Sequence, residues 1–396
     1  MRVLIVAESF LPIVNGVVNS VLRVLEHLRT TGDDALVIAP AGVKGQDSVH
    51  EYEGFPVVHV PALSLPVVDS LPVGVPSRKV LTVMRDYQPD VVHLASPFVL
   101  GAAGTVAARK LGIPTVAVYQ TDVPGFAASY KLGPLTSVAW SMVRAIHNRA
   151  ALTLAPSSAT IAELEERGVE RIRHWGRGVD AERFNPGHRN EELRRSWLGE
   201  HSVDSVDPAS GTAGRRIVGY IGRLASEKHV ERLRSLVGNP GIQLVVVGDG
   251  PERGKLEKLL PEAVFTGELR GAALSEAYAS LDIFVHTGEF ETFCQSLQEA
   301  LASGVPSVAP NAGGPVDLID HGVTGELLEV DRFESELPAA IGRLTSDDHI
   351  DFRERAREGV LPRTWPGLCD ALLGHYRDAV GEPRHERKDA ASVPAS

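Results

Sequence analysis

The sequence predicts an α/β protein made of two doubly wound parallel-sheet halves facing one another across a cleft. Three observations predict it. Short Val/Ile/Leu runs recur, each followed by a Gly/Pro/Asp turn and a longer helical pattern, as parallel strands covered on both faces require. The pattern restarts midway, after a stretch rich in Asn, Pro, Gly, His and Ser. The length of 396 residues exceeds one ordinary core and suits two domains of roughly 150–200 residues.

The first half reads RVLIVA at 2–7, ALVIAP at 35–40, PVVHVP at 56–61, DVVHLA at 90–95 and PTVAVY at 114–119, with ALTLAP at 151–156 closing it. The second reads RIVGYIG at 216–222, IQLVVVG at 242–248, AVFTG at 263–267, LDIFVH at 281–286 and PSVAP at 306–310. Residues 1–182 therefore form an N-terminal domain and 183–362 a C-terminal one. Arg183 to Gly214 has linker chemistry. LPRTWPGLCDALLGHY (361–376) predicts an amphipathic helix after Pro366 that can pack on either domain, and 363–380 is assigned as a helix crossing back to the N-terminal one. The polar, aperiodic tail 381–396 reads as disordered.

Composition narrows the function classes. Hydrophobic residues make up 43% and charged residues 23%, the balance of a soluble globular chain. The net charge of −11 argues against a nucleic-acid surface but leaves room for a basic pocket holding one diphosphate. Two cysteines, Cys294 and Cys369, supply neither a disulfide framework nor a metal cluster, which fits a reducing, cytoplasmic setting. The opening MRVLIVAESFLP is interrupted by Glu8 and Pro12 and reads as a first strand. No run approaches the ~18 apolar residues a spanning helix needs, so membrane contact is expected to be peripheral, on the inner face.

Open α/β sheets bind ligands at the carboxyl ends of their strands. After the 216–222 run comes Gly222-Arg223-Leu224-Ala225-Ser226-Glu227-Lys228. Arg223 and Lys228 on one loop read either as a phosphate grip, guanidinium fork plus ammonium point charge, or as two solvated cations. After the 281–286 run comes Thr287-Gly288-Glu289-Phe290-Glu291-Thr292-Phe293-Cys294, then a helix stopped by Gly304 and Pro306. The start of that helix is an anion site. Glu291 and Glu299 are eight residues apart, about 12 Å at the helical rise. Glycosidase carboxyl pairs sit about 5–9.5 Å apart, so this spacing better suits two grips on one extended ligand. The alternative makes Glu289 a helix-start charge and Glu299 part of a solvated face.

Glu291-x7-Glu299, preceded by the Gly222-Arg223…Lys228 loop, resembles the retaining glycosyltransferases of family 4, which have the GT-B fold of two Rossmann-like domains. The match spans nearly the whole chain. Trp175-Gly176-Arg177-Gly178-Val179-Asp180…Phe184 resembles the family's interdomain signature, and Gly248-Asp249-Gly250-Pro251, Gly313-Gly314 and Gly322-Val323-Thr324-Gly325 follow its pattern. Within the family the chain looks closest to bacterial GDP-mannose-dependent α-mannosyltransferases that elongate membrane glycolipids. The resemblance implies that Arg223 and Lys228 hold the donor diphosphate, that Glu291 contacts the transferred sugar and that Glu299 binds the ribose. It also places Gly222, Gly250 and the backbone of Phe293 and Cys294 beside the donor, and Asn15-Gly16 at the N-terminal glycine loop. Asn15 departs from the usual Gly-Gly, and Gly16 still lets backbone approach a ligand.

A second departure is Gln120, in Tyr119-Gln120-Thr121-Asp122, where many relatives read histidine. A carboxamide hydrogen-bonds but does not titrate. Gln120 is expected to bond the donor sugar, and Asp122 is left as the acceptor contact or as a plain turn residue before Pro124. No metal and no cofactor beyond the GDP-mannose donor are expected. The lone Gly248-x-Gly250-x3-Gly254 lacks the context of a dinucleotide loop. The sequence has no Asp-x-Asp. His93, His174 and His286 read as packed or strand-end histidines. The expected acceptor is a membrane glycolipid, such as a glucuronosyl diacylglycerol or a phosphatidylinositol mannoside. Candidate lipid-facing stretches are the Pro-rich loop 61–79, ending in Arg78 and Lys79, and the helical stretch 130–150 with Lys131, Arg144 and Arg149; both can equally pack on the sheet. Competing readings are a UDP-sugar transferase with a soluble acceptor and a non-catalytic nucleotide-sugar binder.

Overall fold

The computed structural model describes residues 1–42, 48–64, 72–121, 133–199, 214–345 and 350–381. The N-terminal lobe runs β1 (Arg2–Ala7), α1 (Gly16–Thr31), β2 (Asp34–Pro40), β3 (Glu51–Tyr52), β4 (Phe55–Val60), β5 (Ala62–Ser64), β6 (Pro72–Gly74), α2 (Arg78–Tyr87), β7 (Val91–Ala95) and α3 (Val99–Leu111). It continues with β8 (Thr115–Val118), α4 (Gly133–His147), β9 (Leu152–Ala155), α5 (Ser158–Glu166) and β10 (Ile172–His174). The C-terminal lobe runs α6 (Glu191–Leu198), β11 (Arg216–Ile221), β12 (Ile242–Val247), α7 (Arg253–Leu259), β13 (Val264–Gly267), α8 (Gly271–Ser280) and β14 (Ile283–Val285). Then follow α9 (Gln295–Ala302), β15 (Ser307–Pro310), β16 (Gly325–Leu328), α10 (Phe333–Thr345), α11 (Ile350–Glu358) and finally α12 (Trp365–Val380).

The predicted class holds. One sheet has the order β10-β9-β8-β7-β1-β2-β4-β3, parallel except for β3; the other is β13-β12-β11-β14-β15-β16, parallel throughout. Each strand order reverses beside the first strand of its lobe, the crevice where such sheets take ligands. Helix α1 shows why the pattern was readable. Asn15 caps its first turn, Val18, Val21, Val24, Leu25 and Leu28 bury one stripe, and Gly32 at φ 74° ends it.

Several elements differ from the sequence reading. The first half does not close at 151–156, because β10 adds an edge strand beyond β9. Strand β16 was not foreseen: its GELL core is short, and Gly325 lies there because a Cβ would strike the Ser307 carbonyl of β15. Arg183–Gly214 is not all linker, since α6 lies within it. Asn190 caps that helix, Trp197 and Leu198 are buried, and buried Arg194 pairs with Asp282 at 3.0 Å. The Pro-rich stretch carries the β5–β6 hairpin, and Arg78 already belongs to α2. Pro366 sits inside the first turn of α12, where its missing N–H costs nothing, and Thr364 is the cap.

Two chain segments join the lobes side by side. Val179 donates its N–H to the Arg363 carbonyl at 2.9 Å, and Val179 bridges Thr364 in parallel. Helix α12 then packs on the N-terminal lobe: Cys369, Leu372, Leu373 and Tyr376 share a core with β1, β2 and α1. The Tyr376 hydroxyl lies 2.6 Å from His93, and the Trp175 indole donates to the Leu368 carbonyl. His93 is thus a core histidine, held neutral because burial lowers it to about 3. The tail beyond Gly381 lies outside the described residues.

Candidate active site

Strand β11 ends in Gly222, and the loop behind it lies backbone against backbone on the glycine turn that follows β12. Gly222 donates to Val247 at 3.0 Å and Leu224 to Asp249 at 2.9 Å. A Cβ on Gly248 or Gly250, at φ 136° and 159°, would run into the Gly222 or Leu224 carbonyl. These glycines serve that close approach, and Gly254 lies within α7, so no dinucleotide loop forms here. The tight packing fixes the path to Lys228. Its carbonyl accepts from the Thr287 hydroxyl at 2.6 Å. Arg223 on the same loop is exposed and pairs with no described residue.

Between β14 and α9 the acidic loop is pinned at two carboxylates. Glu289 pairs with Arg232 at 2.6 Å, and Arg232 also donates to the Thr287 carbonyl at 2.8 Å. Glu289 is therefore a loop anchor. Glu291 forms a close ion pair with the Lys228 ammonium and lies 3.5 Å from Nε2 of His286. Burial alone raises the Glu291 carboxyl, but Lys228, His286 and Arg177 outweigh it and hold the group below its usual range. Burial likewise works against the Lys228 cation, and Glu291 more than restores it. His286 is pulled down to about 4, chiefly by burial, so its ring is neutral at pH 7.

The loop's backbone is held from below. Gly314 donates to the Glu291 carbonyl at 2.7 Å. A Cβ on Gly313, whose φ is 61°, would sit 2.5 Å from that carbonyl oxygen, and one on Gly314 would strike the Phe293 peptide. Phe293 and Cys294 are buried, and Cys294 adopts φ 76°, an unusual backbone for a non-glycine residue. Its conformation turns the chain into α9, whose first turn lacks a side-chain cap. Two glutamines of α9 reach the interlobe segment instead: Gln295 donates to the Gly178 carbonyl at 3.2 Å and Gln298 to that of Arg177 at 3.1 Å.

Glu299, one turn deeper, lines a cavity of about 160 Å³ with Gly16, Arg23, Arg177, Asp180 and Arg183. Burial pushes its carboxyl up to about 7, against the opposing pull of Tyr278, Arg183, Gln295 and Arg177. From the N-terminal lobe, Gly16 abuts the Arg177 guanidinium so closely that a Cβ would overlap it. The Asn15 side chain is spent on the helix cap, accepting from Val17 and Val18 at 3.0 and 2.9 Å and donating to Ser9. That loop therefore offers backbone to a ligand, while the amide of Asn15 is occupied.

Gln120, at the end of β8, is buried. Its side-chain oxygen accepts from Arg177 at 3.3 Å, and its backbone carbonyl accepts from the Thr292 hydroxyl of the opposite lobe at 3.2 Å. Asp122 and Lys131 lie outside the described residues. The structure thus gathers Gln120, Gly16, Glu291 and Glu299 around Arg177, and Lys228 joins them through its pair with Glu291. Sequence reading had not assigned Arg177 to the site, although it stands between two glycines in the signature segment. Nor had it assigned His286, which is both strand-end and packed, but packed against Glu291.

Of the lipid-facing candidates, α4 turns Ala139, Trp140, Val143 and Ile146 inward and leaves Val138 exposed; Leu63 of the hairpin is also exposed. No described helix is long and apolar enough to cross a membrane. Among the described residues, one His/Cys/Asp/Glu group, His286, Glu291 and Cys294, places its ligand atoms within 4.8 Å of one another. Glu291 there already meets the Lys228 ammonium, and burial drives the Cys294 thiol well up.

Comparison with known proteins agrees with this architecture. The family model Glycosyltransferase Family 4 matches residues 14–183, and Glycosyl transferases group 1 matches 206–360. The GDP-mannose-dependent alpha-mannosyltransferase of Corynebacterium glutamicum is 54% identical over 381 residues, covering 96% of this chain and 89% of that protein. That of Mycobacterium tuberculosis is 53% identical over 382 residues, covering 96% and 97%. Among solved structures, Anabaena HepE in complex with UDP superposes with a TM-score of 0.73 at 18% identity, covering 96% of this chain and all of that one. Sucrose-phosphate synthase from Thermosynechococcus elongatus does so at 0.75 and 18%, covering 96% and 99%. With both lobes matched and a shared sequence over nearly its whole length, this chain belongs to the GT-B glycosyltransferases of family 4.

Proposed function

We propose that the chain transfers mannose from GDP-mannose, with retention of configuration, to a lipid-linked sugar at a membrane surface. The observation that carries the donor assignment is the 53–54% identity, over 96% of the chain, to GDP-mannose-dependent enzymes. In this reading Arg223 and Lys228 grip the diphosphate, Glu291 meets the transferred sugar and Glu299 the ribose. The peptides of Phe293 and Cys294 and the backbone of Asn15-Gly16 face the sugar and phosphate. Gly222 and Gly250 keep the backbone beside them unobstructed.

The anomeric carbon–oxygen bond to the diphosphate breaks, and a bond to the acceptor hydroxyl oxygen forms on the same face. The acceptor's proton passes to the departing phosphate oxygen, so no separate base is required. Charge growing on the diphosphate is met by Lys228, held in place by its pair with Glu291, and by the exposed Arg223, which is free to turn onto the phosphate. The neutral His286 does not compete for that charge. A glycolipid acceptor draws support from more distant relatives: the alpha-monoglucosyldiacylglycerol synthase of Streptococcus pneumoniae is 24% identical over 398 residues, covering 95% of this chain and 87% of that protein.

The test is incubation with radiolabelled GDP-mannose and a bacterial lipid extract, with parallel UDP-glucose and ADP-glucose arms. Label entering the organic phase from GDP-mannose alone is expected. Equal or greater transfer from UDP-glucose would overturn the donor, and transfer only to water-soluble sugars would overturn the acceptor. A thermal-shift series with GDP, UDP and ADP reads the base independently, since a ligand at about 100 times its dissociation constant adds ~2.7 kcal/mol.

A further inference from the structure

One buried polar contact beside the crossing of the lobes involves two residues that the transfer step above leaves without a role. Arg177 is a buried arginine on the interlobe segment, and Gln120 is a buried carboxamide at the carboxyl end of β8. The guanidinium donates to the side-chain oxygen of Gln120 at 3.3 Å. Arginine offers five donors and no acceptor, so the atom facing it must be the amide oxygen whichever way the group is first drawn. The amide nitrogen therefore points away. Among the described residues it has no hydrogen-bond partner, although it is buried. A buried donor left unmet is costly unless a ligand meets it.

Neither partner is free to turn. Gly16 closes on the guanidinium, Gln298 holds the Arg177 carbonyl, and Thr292 holds the Gln120 carbonyl. Ligands of such sheets enter at the strand end where Gln120 sits.

We propose that Arg177 is a positioning residue that locks Gln120 as a one-way hydrogen-bond donor, its NH2 group aimed at an oxygen of the bound nucleotide sugar. The inference rests on the transferase reading above. It makes Gln120 unable to accept the acceptor's proton, because its oxygen is engaged by Arg177 and an amide does not titrate. It also explains how a glutamine can serve at this position. What is needed is an acceptor toward Arg177 and a donor toward the ligand, and a neutral imidazole has both.

The test is a kinetic series on the full-length enzyme: Gln120→Glu, Gln120→His, Arg177→Met and Arg177→Lys. Gln120→Glu keeps the partner of Arg177 but offers only acceptors to the ligand. It is expected to keep its melting temperature and lose about 100-fold or more in kcat, the scale of one transition-state donor. Gln120→His, which can face both ways, is expected to lose less than about tenfold. Arg177→Met frees the amide to rotate and is expected to lower kcat strongly while GDP affinity changes little. Arg177→Lys, which also has no acceptor and is less disruptive to the fold, is expected to fall between wild type and Arg177→Met.

A Gln120→Glu enzyme within threefold of wild-type kcat would overturn the donor assignment. A histidine variant no better than the glutamate one would overturn the two-faced requirement. Wild-type kcat in both Arg177 variants would overturn the positioning role. The rates are read with whichever nucleotide sugar the wild type turns over, so a wrong donor base shows in the wild type and not in the pattern of the variants.

Discussion

Lys228 and Glu291 meet as a half-buried ion pair that joins the loop after β11 to the loop after β14. The pair places a cation at the proposed diphosphate and keeps the carboxyl ionised despite its burial. Lys228→Ala therefore removes two things at once, the charge on the leaving group and the partner that holds Glu291 anionic. We expect a loss of about 100- to 1000-fold in kcat, or ~3–4 kcal/mol of transition-state stabilisation. Because the residues act as a unit, Lys228→Ala/Glu291→Gln should be far less damaging than the product of the singles. Additive losses in a double-mutant cycle would show that the two residues act separately.

Glu299 gives a pH prediction. Burial raises its carboxyl from 4.5 to about 7. Between those values the folded protein holds a proton that the unfolded chain releases, so the contribution is full below 4.5 and is lost as pH rises through 7. The shift corresponds to about 2–4 kcal/mol. Glu299→Gln lacks this term, and its denaturant stability relative to wild type should climb across that window and then level off. GDP should reverse the trend in wild type, since ribose hydroxyls donate best to the ionised form. A flat difference between the two proteins from about pH 5 to 8 would contradict the raised carboxyl.

How much was legible in the sequence follows from what kind of signal each residue carries. The buried parallel strands announced themselves as apolar runs, and Lys228, Glu291 and Glu299 stood at strand ends and helix starts where chemistry is expected. Strand β16 was not legible because four residues, one a glycine, make no run. Helix α6 was hidden because a capped, eight-residue helix with two buried apolar residues looks like linker. Arg177 carries no local sign of burial: its partners Gln120, Glu291 and Glu299 lie 57, 114 and 122 positions away in sequence, and only the crossing of the lobes brings them together. His286 was read correctly as packed, but no spacing rule revealed that it packs on Glu291.

Gly313 sets the position of the acidic loop from below. Its φ of 61° already disfavours any side chain, and a Cβ would lie 2.5 Å from the Glu291 carbonyl oxygen and 3.1 Å from that of Glu289. Gly313→Ala should therefore push both carboxylates while leaving the two cores intact. We expect kcat to fall at least tenfold for about 1–3 kcal/mol of lost stability, the cost of a strained, overpacked site. Unchanged kcat in a folded Gly313→Ala protein would mean that the backbone position of Glu291 does not matter.

The lobes are tied where Gly178 passes Trp365. A Cβ on Gly178 would lie 2.6 Å from both the Trp365 backbone nitrogen and its ring, so the two crossing segments touch only because this residue has no side chain. Next to that contact Val179 bonds Arg363, and Gln295 bonds the Gly178 carbonyl itself. Gly178→Ala must part the segments and drag α9 with them. It should cost about 1–3 kcal/mol by urea unfolding and also weaken GDP binding, although Gly178 is not expected to touch nucleotide. Trp365→Ala removes the ring but not the backbone clash, so Gly178→Ala/Trp365→Ala should recover only part of the loss. Full recovery would place the constraint in the indole alone, and no loss in Gly178→Ala would mean that the crossing does not hold the lobes in register.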